Sequence, residues 1–130
     1  MKYLIVAVSF LIFGFSNCEA KNDIKHLSLD QVKKRFGTTK LNEKSFENGS
    51  KKIRASMAYS LIKSKKYIGV HRGVVENKLG KPTGYFRSET FLTYLIYVSA
   101  KGPVEALQLL FIPNKEGIIK EVVVHDQSDI

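Results

Sequence analysis

The residues that could carry out chemistry are few and widely separated in this sequence. The three histidines are His26, His71 and His125, and only the last has a neighbour, Asp126, with which it could hold a metal ion. We interpret that pair as part of a solvated chain end. No serine lies in a GxSxG motif, and no glycine-rich phosphate loop is present. The 12 acidic residues are too dispersed to indicate a paired-carboxylate hydrolase. We therefore expect a protein that is not an enzyme and that binds no metal or cofactor.

The single cysteine, Cys18, follows an apolar run from Tyr3 to Phe15. Such a run after one basic residue is typical of a secretory signal and is too short to span a bilayer as a helix. The residues up to Cys18 resemble a bacterial lipobox, which predicts a signal peptide at 1–17 and lipid attachment at Cys18. An ordinary cleavage after Ala20 stays open, and it would remove the cysteine. In both cases the protein is expected to be exported.

The excess of basic residues indicates anionic partners. The chain has 21 lysines and arginines against 12 acidic residues, a formal charge of +9. This balance favours anionic phospholipid or an acidic protein. We exclude nucleic acid as a partner because an exported protein rarely meets it. Residues 18–26 are expected to form a polar tether, and 27–130 a single domain.

Three stretches have the apolar spacing of helices: Leu27–Phe36, Lys51–Lys66 and the segment from Gly69 to Pro82. The residues from Thr38 to Ser50 between the first two have no clean period, so a loop is expected there. The polar face of the Lys51–Lys66 helix carries Lys51, Lys52 and Arg54. That basic face either contacts an anionic surface or is simply solvated.

The helix between Gly69 and Pro82 has both a start and a stop signal. His71 stands at the expected N-cap, and Val75 and Leu79 lie four residues apart on one face. Gly80 is expected to end the helix with a positive φ, and the proline at 82 forbids its continuation.

Strands are expected at Tyr85–Val98, Glu105–Ile112 and Ile118–His125, because these runs are rich in β-branched and aromatic residues. Short turns between successive strands predict an antiparallel meander. The expected fold is therefore α+β, with two or three helices packed on one face of a three-stranded antiparallel meander sheet.

Neither face of this predicted sheet is polar, and the helices can cover only one of them. We expect the Lys21–Ser50 segment, a second copy in a homodimer, or a protein partner to cover the other face. The candidate binding residues on the sheet are Tyr85, Arg87, Tyr94 and Tyr97.

The segment that brackets the third helix resembles the signature of the BamE (SmpA/OmlA) domain family. That signature runs glycine, an apolar residue, Ser or Thr, a later valine, and then Leu-Gly-x-Pro. The matching positions are Gly69, Val70, Val75, Leu79, Gly80 and Pro82, whereas His71 replaces the family's Ser or Thr. Arg54, Met57 and Leu61 also resemble a helix that precedes this motif in some relatives. The resemblance covers about 50–124, and the matched residues are structural.

The resemblance implies a non-catalytic lipoprotein of the outer membrane that faces the periplasm, or a periplasmic protein if Cys18 is removed. Its expected role is to support outer-membrane assembly by binding envelope proteins and anionic phospholipid. The alternative is an exported inhibitor or immunity protein that binds and blocks an enzyme through its sheet face. Fold alone does not choose between these functions.

Overall fold

A computed structural model describes residues 25–86, 91–99 and 105–126. The signal peptide and Cys18 therefore lie outside the described residues. The elements in chain order are β1 (His26–Leu27), α1 (Leu29–Phe36), α2 (Glu43–Asn48), α3 (Lys51–Ser64), α4 (Arg72–Leu79), β2 (Leu92–Val98), β3 (Ala106–Pro113) and β4 (Ile119–Asp126).

The strands form one antiparallel sheet in the order β1-β4-β3-β2. The predicted α+β class and the meander of the three long strands are confirmed. The strand count differs, because His26 and Leu27 pair with His125 and Val124 at the far edge of β4. His26, expected at the end of a tether, is thus part of the sheet.

Local hydrogen bonds explain where the helices begin. Ser28 and Gln31 form a reciprocal capping box at the start of α1, with distances of 3.2 and 2.8 Å. The Ser50 hydroxyl accepts a bond from the N–H of Ile53 at the start of α3. His71 caps α4 as predicted, since its Nδ1 accepts a bond of 3.0 Å from the N–H of Gly73.

Helix α2 lies within the stretch where a loop was expected. Asn42 caps this six-residue helix by accepting a bond from the N–H of Ser45. Its one buried side chain, Phe46, packs edge-on against Tyr94, with ring centroids 5.3 Å apart. A helix this short with one apolar anchor has too few residues to display a helical period.

The main core lies between the helices and one face of the sheet. Buried residues of α3 and α4, among them Met57, Leu61, Val75 and Leu79, pack with β2, β3 and β4. This arrangement gives the expected two-layer packing. None of the helices among the described residues is both long and apolar enough to cross a bilayer.

The segment before β2 covers part of the second face of the sheet. Strand β2 begins at Leu92, not at Tyr85 as predicted. Thr83 and Gly84 donate backbone bonds to the carbonyl of Thr93 at the outer edge of β2. Phe86 lies farther across the face, where its ring meets that of His125 at 4.5 Å. We call residues 82–86 the strap.

The strap corrects the expectation about what covers the second face. Phe86 packs there with Leu110, Ile112 and Val123, all of them at most 8% exposed. The Lys21–Ser50 segment was one expected cover, but its helices lie on the main-core side, where the side chains of Val32 and Phe46 are buried. Within the described residues, this part of the sheet is buried by its own chain.

Candidate binding groove and basic surface

The four predicted binding residues do not form one surface. Tyr94 is 1% exposed in the main core, and its hydroxyl donates a 2.7 Å bond to the carbonyl of Gly80. Burial raises the pKa of this phenol above its usual range. A side chain in that position has no surface for a partner, so its place in the predicted binding set is wrong.

The other three predicted binding residues lie in different parts of the protein. Tyr97 is half-buried on the helical side, with its ring 6.5 Å from that of Phe36. Tyr85 is 61% exposed and belongs to the strap. Arg87 lies outside the described residues. An aromatic binding patch on one sheet face is therefore not formed by the described members of this set.

The residues of the motif at 69–82 lie at the two ends of α4 and on its buried face. Val75 and Leu79 are fully buried, as their spacing predicts. Gly69 has a φ of 85° and donates a 2.8 Å bond to the carbonyl of Ile119. Gly80 has a φ of 92°, and Pro82 is exposed at the start of the strap.

Helix α3 carries basic side chains and no acidic ones along its 14 residues. The lysines at 51, 52 and 63 are exposed, and α1 packs beside the helix with the further exposed residues Lys33, Lys34 and Arg35. We call these six residues the basic surface. Two of the six form ion pairs with other described residues: Lys34 with Asp30, and Arg35 with Glu105.

An aromatic ring joins the two helices of the basic surface. The ammonium groups of Lys33 and Lys63 each lie 5.7 Å from the ring centroid of Tyr59. These contacts are weakly attractive at an exposed site. They hold two positive charges from different helices around one ring, so the charge is concentrated there.

A groove of about 660 Å³ lies between the end of α1, the start of α3 and strand β2. Its lining combines apolar and basic side chains: Arg35, Phe36, Ser50, Lys51, Lys52, Ala55, Ser56, Ile96, Tyr97 and Val98. This volume is within the range of pockets that bind small molecules. We call it the β2 groove.

Arg35 is fixed at one side of the β2 groove. Its guanidinium donates bonds of 2.9 and 3.2 Å to the two carboxylate oxygens of Glu105 and lies 4.8 Å from the ring centroid of Tyr97. The hydrogen bond with Glu105 raises the pKa of Arg35. This pair is largely neutral, so the exposed Lys51 and Lys52 supply the net charge of the groove.

Arg54 closes part of the edge of the sheet. Its guanidinium donates to the carbonyl of Gly49 at 2.8 Å and to that of Leu95 at 3.3 and 3.4 Å. The side chain is only 9% exposed, and desolvation lowers its pKa. It therefore acts as a buried clamp between α3 and β2, not as part of the solvated basic face that the sequence indicated.

A second charged cluster ties α2 to the segment after α3. The Tyr67 hydroxyl donates a bond to a carboxylate oxygen of Glu43, which also forms a 3.1 Å ion pair with Lys66. The hydrogen bond from Tyr67 is the main cause that lowers the pKa of Glu43. Burial raises the pKa of Tyr67. The roles of these groups are structural.

The sequence patterns did not predict the β2 groove, because its lining residues lie more than 60 positions apart in the chain. Arg35, Lys51 and Tyr97 have no shared motif, and only their packing brings them together. In the part of the chain that the structure describes, no three His, Cys, Asp or Glu residues are grouped closely enough to hold a metal ion.

Comparison with protein-family models, with curated proteins and with solved structures gives no match in any of the three. The resemblance to the BamE family therefore depends on the motif residues alone.

Proposed function

We propose that this chain is a non-catalytic lipoprotein of the bacterial cell envelope, similar to BamE, that supports outer-membrane assembly by binding proteins and anionic lipid. The observation that carries the proposal is the basic surface, in which a 14-residue helix without acidic side chains lies beside a second lysine-rich helix. The motif at 69–82 supports the family, and the apolar run before Cys18 supports export and lipid attachment.

The charge of the basic surface is large enough to matter at a membrane. Each lysine or arginine near an anionic bilayer contributes about 1 kcal/mol, and salt screens this attraction over about 8 Å at physiological ionic strength. The ring of Tyr59 with Lys33 and Lys63 adds an amphipathic contact of the kind found at membrane interfaces. The lysines act together, so binding should respond steeply to salt.

Flotation with vesicles tests the lipid-binding part of this proposal. Acyl chains on Cys18, or an uncleaved apolar run before it, would hold the protein on any vesicle, so the assay uses the chain that begins at Lys21. We expect this protein to float with vesicles that contain phosphatidylglycerol at low salt and to dissociate from them at high salt. It should not float with vesicles of phosphatidylcholine.

A matched pair of double variants locates the surface. Lys33→Glu with Lys63→Glu should abolish most of the flotation, because it reverses the two charges around Tyr59. Lys81→Glu with Lys115→Glu makes the same change in net charge away from α1 and α3, and it should float nearly as well as the parent. Equal loss in both pairs would contradict a specific role for the basic surface.

Metabolic labelling with palmitate tests the lipid anchor separately. We expect label on the native chain and none on the Cys18→Ser variant. Absence of label on the native chain, together with absence of flotation, would remove the membrane role altogether.

A further inference from the structure

We propose that the β2 groove binds an extended acidic segment of a partner polypeptide, which lies alongside the open end of strand β2. This inference rests on the proposed function, and it specifies the chemistry of the protein partner. It also divides the basic surface, with lipid contacting Lys33 and Lys63 around Tyr59 and polypeptide contacting the part that lines the groove.

The first half of the edge of β2 is already closed. The carbonyl of Thr93 accepts two bonds from the strap, and the N–H of Leu95 donates a 2.9 Å bond to the hydroxyl of Thr83. The carbonyl of Leu95 is held by Arg54. An added strand could not displace these bonds without breaking the strap and the buried clamp.

The second half of the edge is directed into the groove by a bulge. The register of β2 against β3 shifts between Leu95 and Tyr97, which inserts one residue, Ile96. The N–H of Ser99 bonds to the carbonyl of Glu105 on the β3 side. Because antiparallel backbone groups alternate in direction, those of Val98 point away from β3. Val98 is 42% exposed and lines the groove.

The side chains around this open end suit alternating acidic and apolar residues. Phe36, Tyr97 and Val98 supply the accessible apolar part of the lining, and the ammonium groups of Lys51 and Lys52 supply its charge. These two lysines have no ion pair with another described residue. Successive side chains of an extended segment point to opposite sides, so one set can meet the apolar lining while the other meets the lysines.

The same features favour a polypeptide over a lipid head group. The outward backbone groups of Val98 can pair with another backbone, whereas an acyl chain cannot use them. The carboxylate of Glu105 already pairs with Arg35 at 2.9 Å and would repel a phosphate that approached this guanidinium. A peptide places its charges at intervals and can avoid this carboxylate.

The test uses a fluorescein-labelled peptide of alternating glutamate and valine, and its binding to the purified protein is followed by fluorescence anisotropy. We expect saturable binding that weakens about tenfold for Lys51→Glu with Lys52→Glu, because two attractive charges become repulsive. Acidic residues are favourable in the first turn of a helix, so this variant should keep its fold. Lys81→Glu with Lys115→Glu should change the affinity less than about twofold.

A second peptide tests the backbone pairing. N-methylation of its central amides leaves the charge unchanged but blocks strand addition, and we expect binding about tenfold weaker. Equal binding of both peptides, or unchanged binding by the Lys51/Lys52 variant, would overturn the proposal.

Failure of this inference and failure of the proposed function give different results. If the protein floats with anionic vesicles but does not bind the peptide, the lipid-binding role stands and the groove proposal is wrong. If the Lys51/Lys52 variant loses flotation and N-methylation has no effect, the groove is a lipid site, which also refutes the peptide proposal. Peptide binding without flotation supports the groove and removes the lipid role.

Discussion

Replacement of Phe86 by alanine tests whether the chain itself, and not a partner, covers the second face of the sheet. Phe86 is 7% exposed, and its ring lies between His125 and Phe91, at 4.5 and 5.6 Å. Beneath it are Leu110 and Val123, which belong to the same small apolar cluster. If the strap is the true cover, loss of this ring must destabilise the folded protein and expose the face.

The expected cost follows from the burial of the ring. A Phe→Ala change in a core costs about 3–5 kcal/mol, and the cost depends on how far the site can collapse. The cluster around Phe86 is one layer thick and lies under a short segment, so the strap can settle partly into the gap. We therefore expect a loss of about 3 kcal/mol in the free energy of unfolding.

Urea unfolding followed by circular dichroism measures this loss. With a denaturant dependence of about 2 kcal/mol per molar urea, the midpoint should fall by about 1.5 M. Tyr85→Ala is the matched control, because this neighbouring ring is 61% exposed and its removal should cost less than about 0.5 kcal/mol. The Phe86 variant should also bind the dye ANS more strongly than the native protein.

Equal midpoints for the Phe86 and Tyr85 variants would refute this reasoning. They would mean that the strap contributes little in solution and that the second face is open to a partner or a second copy.

Three further predictions concern groups that the structure holds in place. The pKa of Glu43 is lowered in the folded protein from its ordinary value of 4.5, mainly by the hydrogen bond from Tyr67. Its contribution to stability is therefore fully present above that value and is lost as the pH falls through the lowered pKa. The native protein should exceed Glu43→Gln in urea midpoint at about pH 6, and this difference should shrink as the pH falls below 4.5; a constant difference would contradict this. Arg54→Met should lower the free energy of unfolding by about 2–3 kcal/mol, because it leaves carbonyls of α3's entry turn and β2 without donors; Lys52→Met on the exposed side of the same helix should be nearly neutral in the same urea titration. Gly80→Ala should cost about 1–3 kcal/mol in thermal unfolding, because a φ of 92° with a ψ of 177° is essentially restricted to glycine; an unchanged melting temperature would show that the helix end can rearrange.

Contacts close in sequence were predictable because they depend on local backbone geometry. The N-cap at His71 and the helix end at Gly80 involve residues only two to four positions apart. The meander was predictable for a related reason, since short turns leave successive strands few ways to pair. The strand predicted at 85–98 begins too early, since β2 starts at Leu92. Composition alone does not distinguish a strand from the strap that precedes it and covers the sheet.

The sequence by itself determined the class of the fold and the basic character of the chain, because these depend on composition and short spacings. The tertiary structure decided which side chains are available. Tyr94 and Arg54 have the residue types of binding groups, yet packing buries one in the core and uses the other to close an edge. The β2 groove exists only because a bulge, two helix ends and a strand meet. Such a meeting depends on contacts between residues far apart in the chain, and no local pattern encodes it.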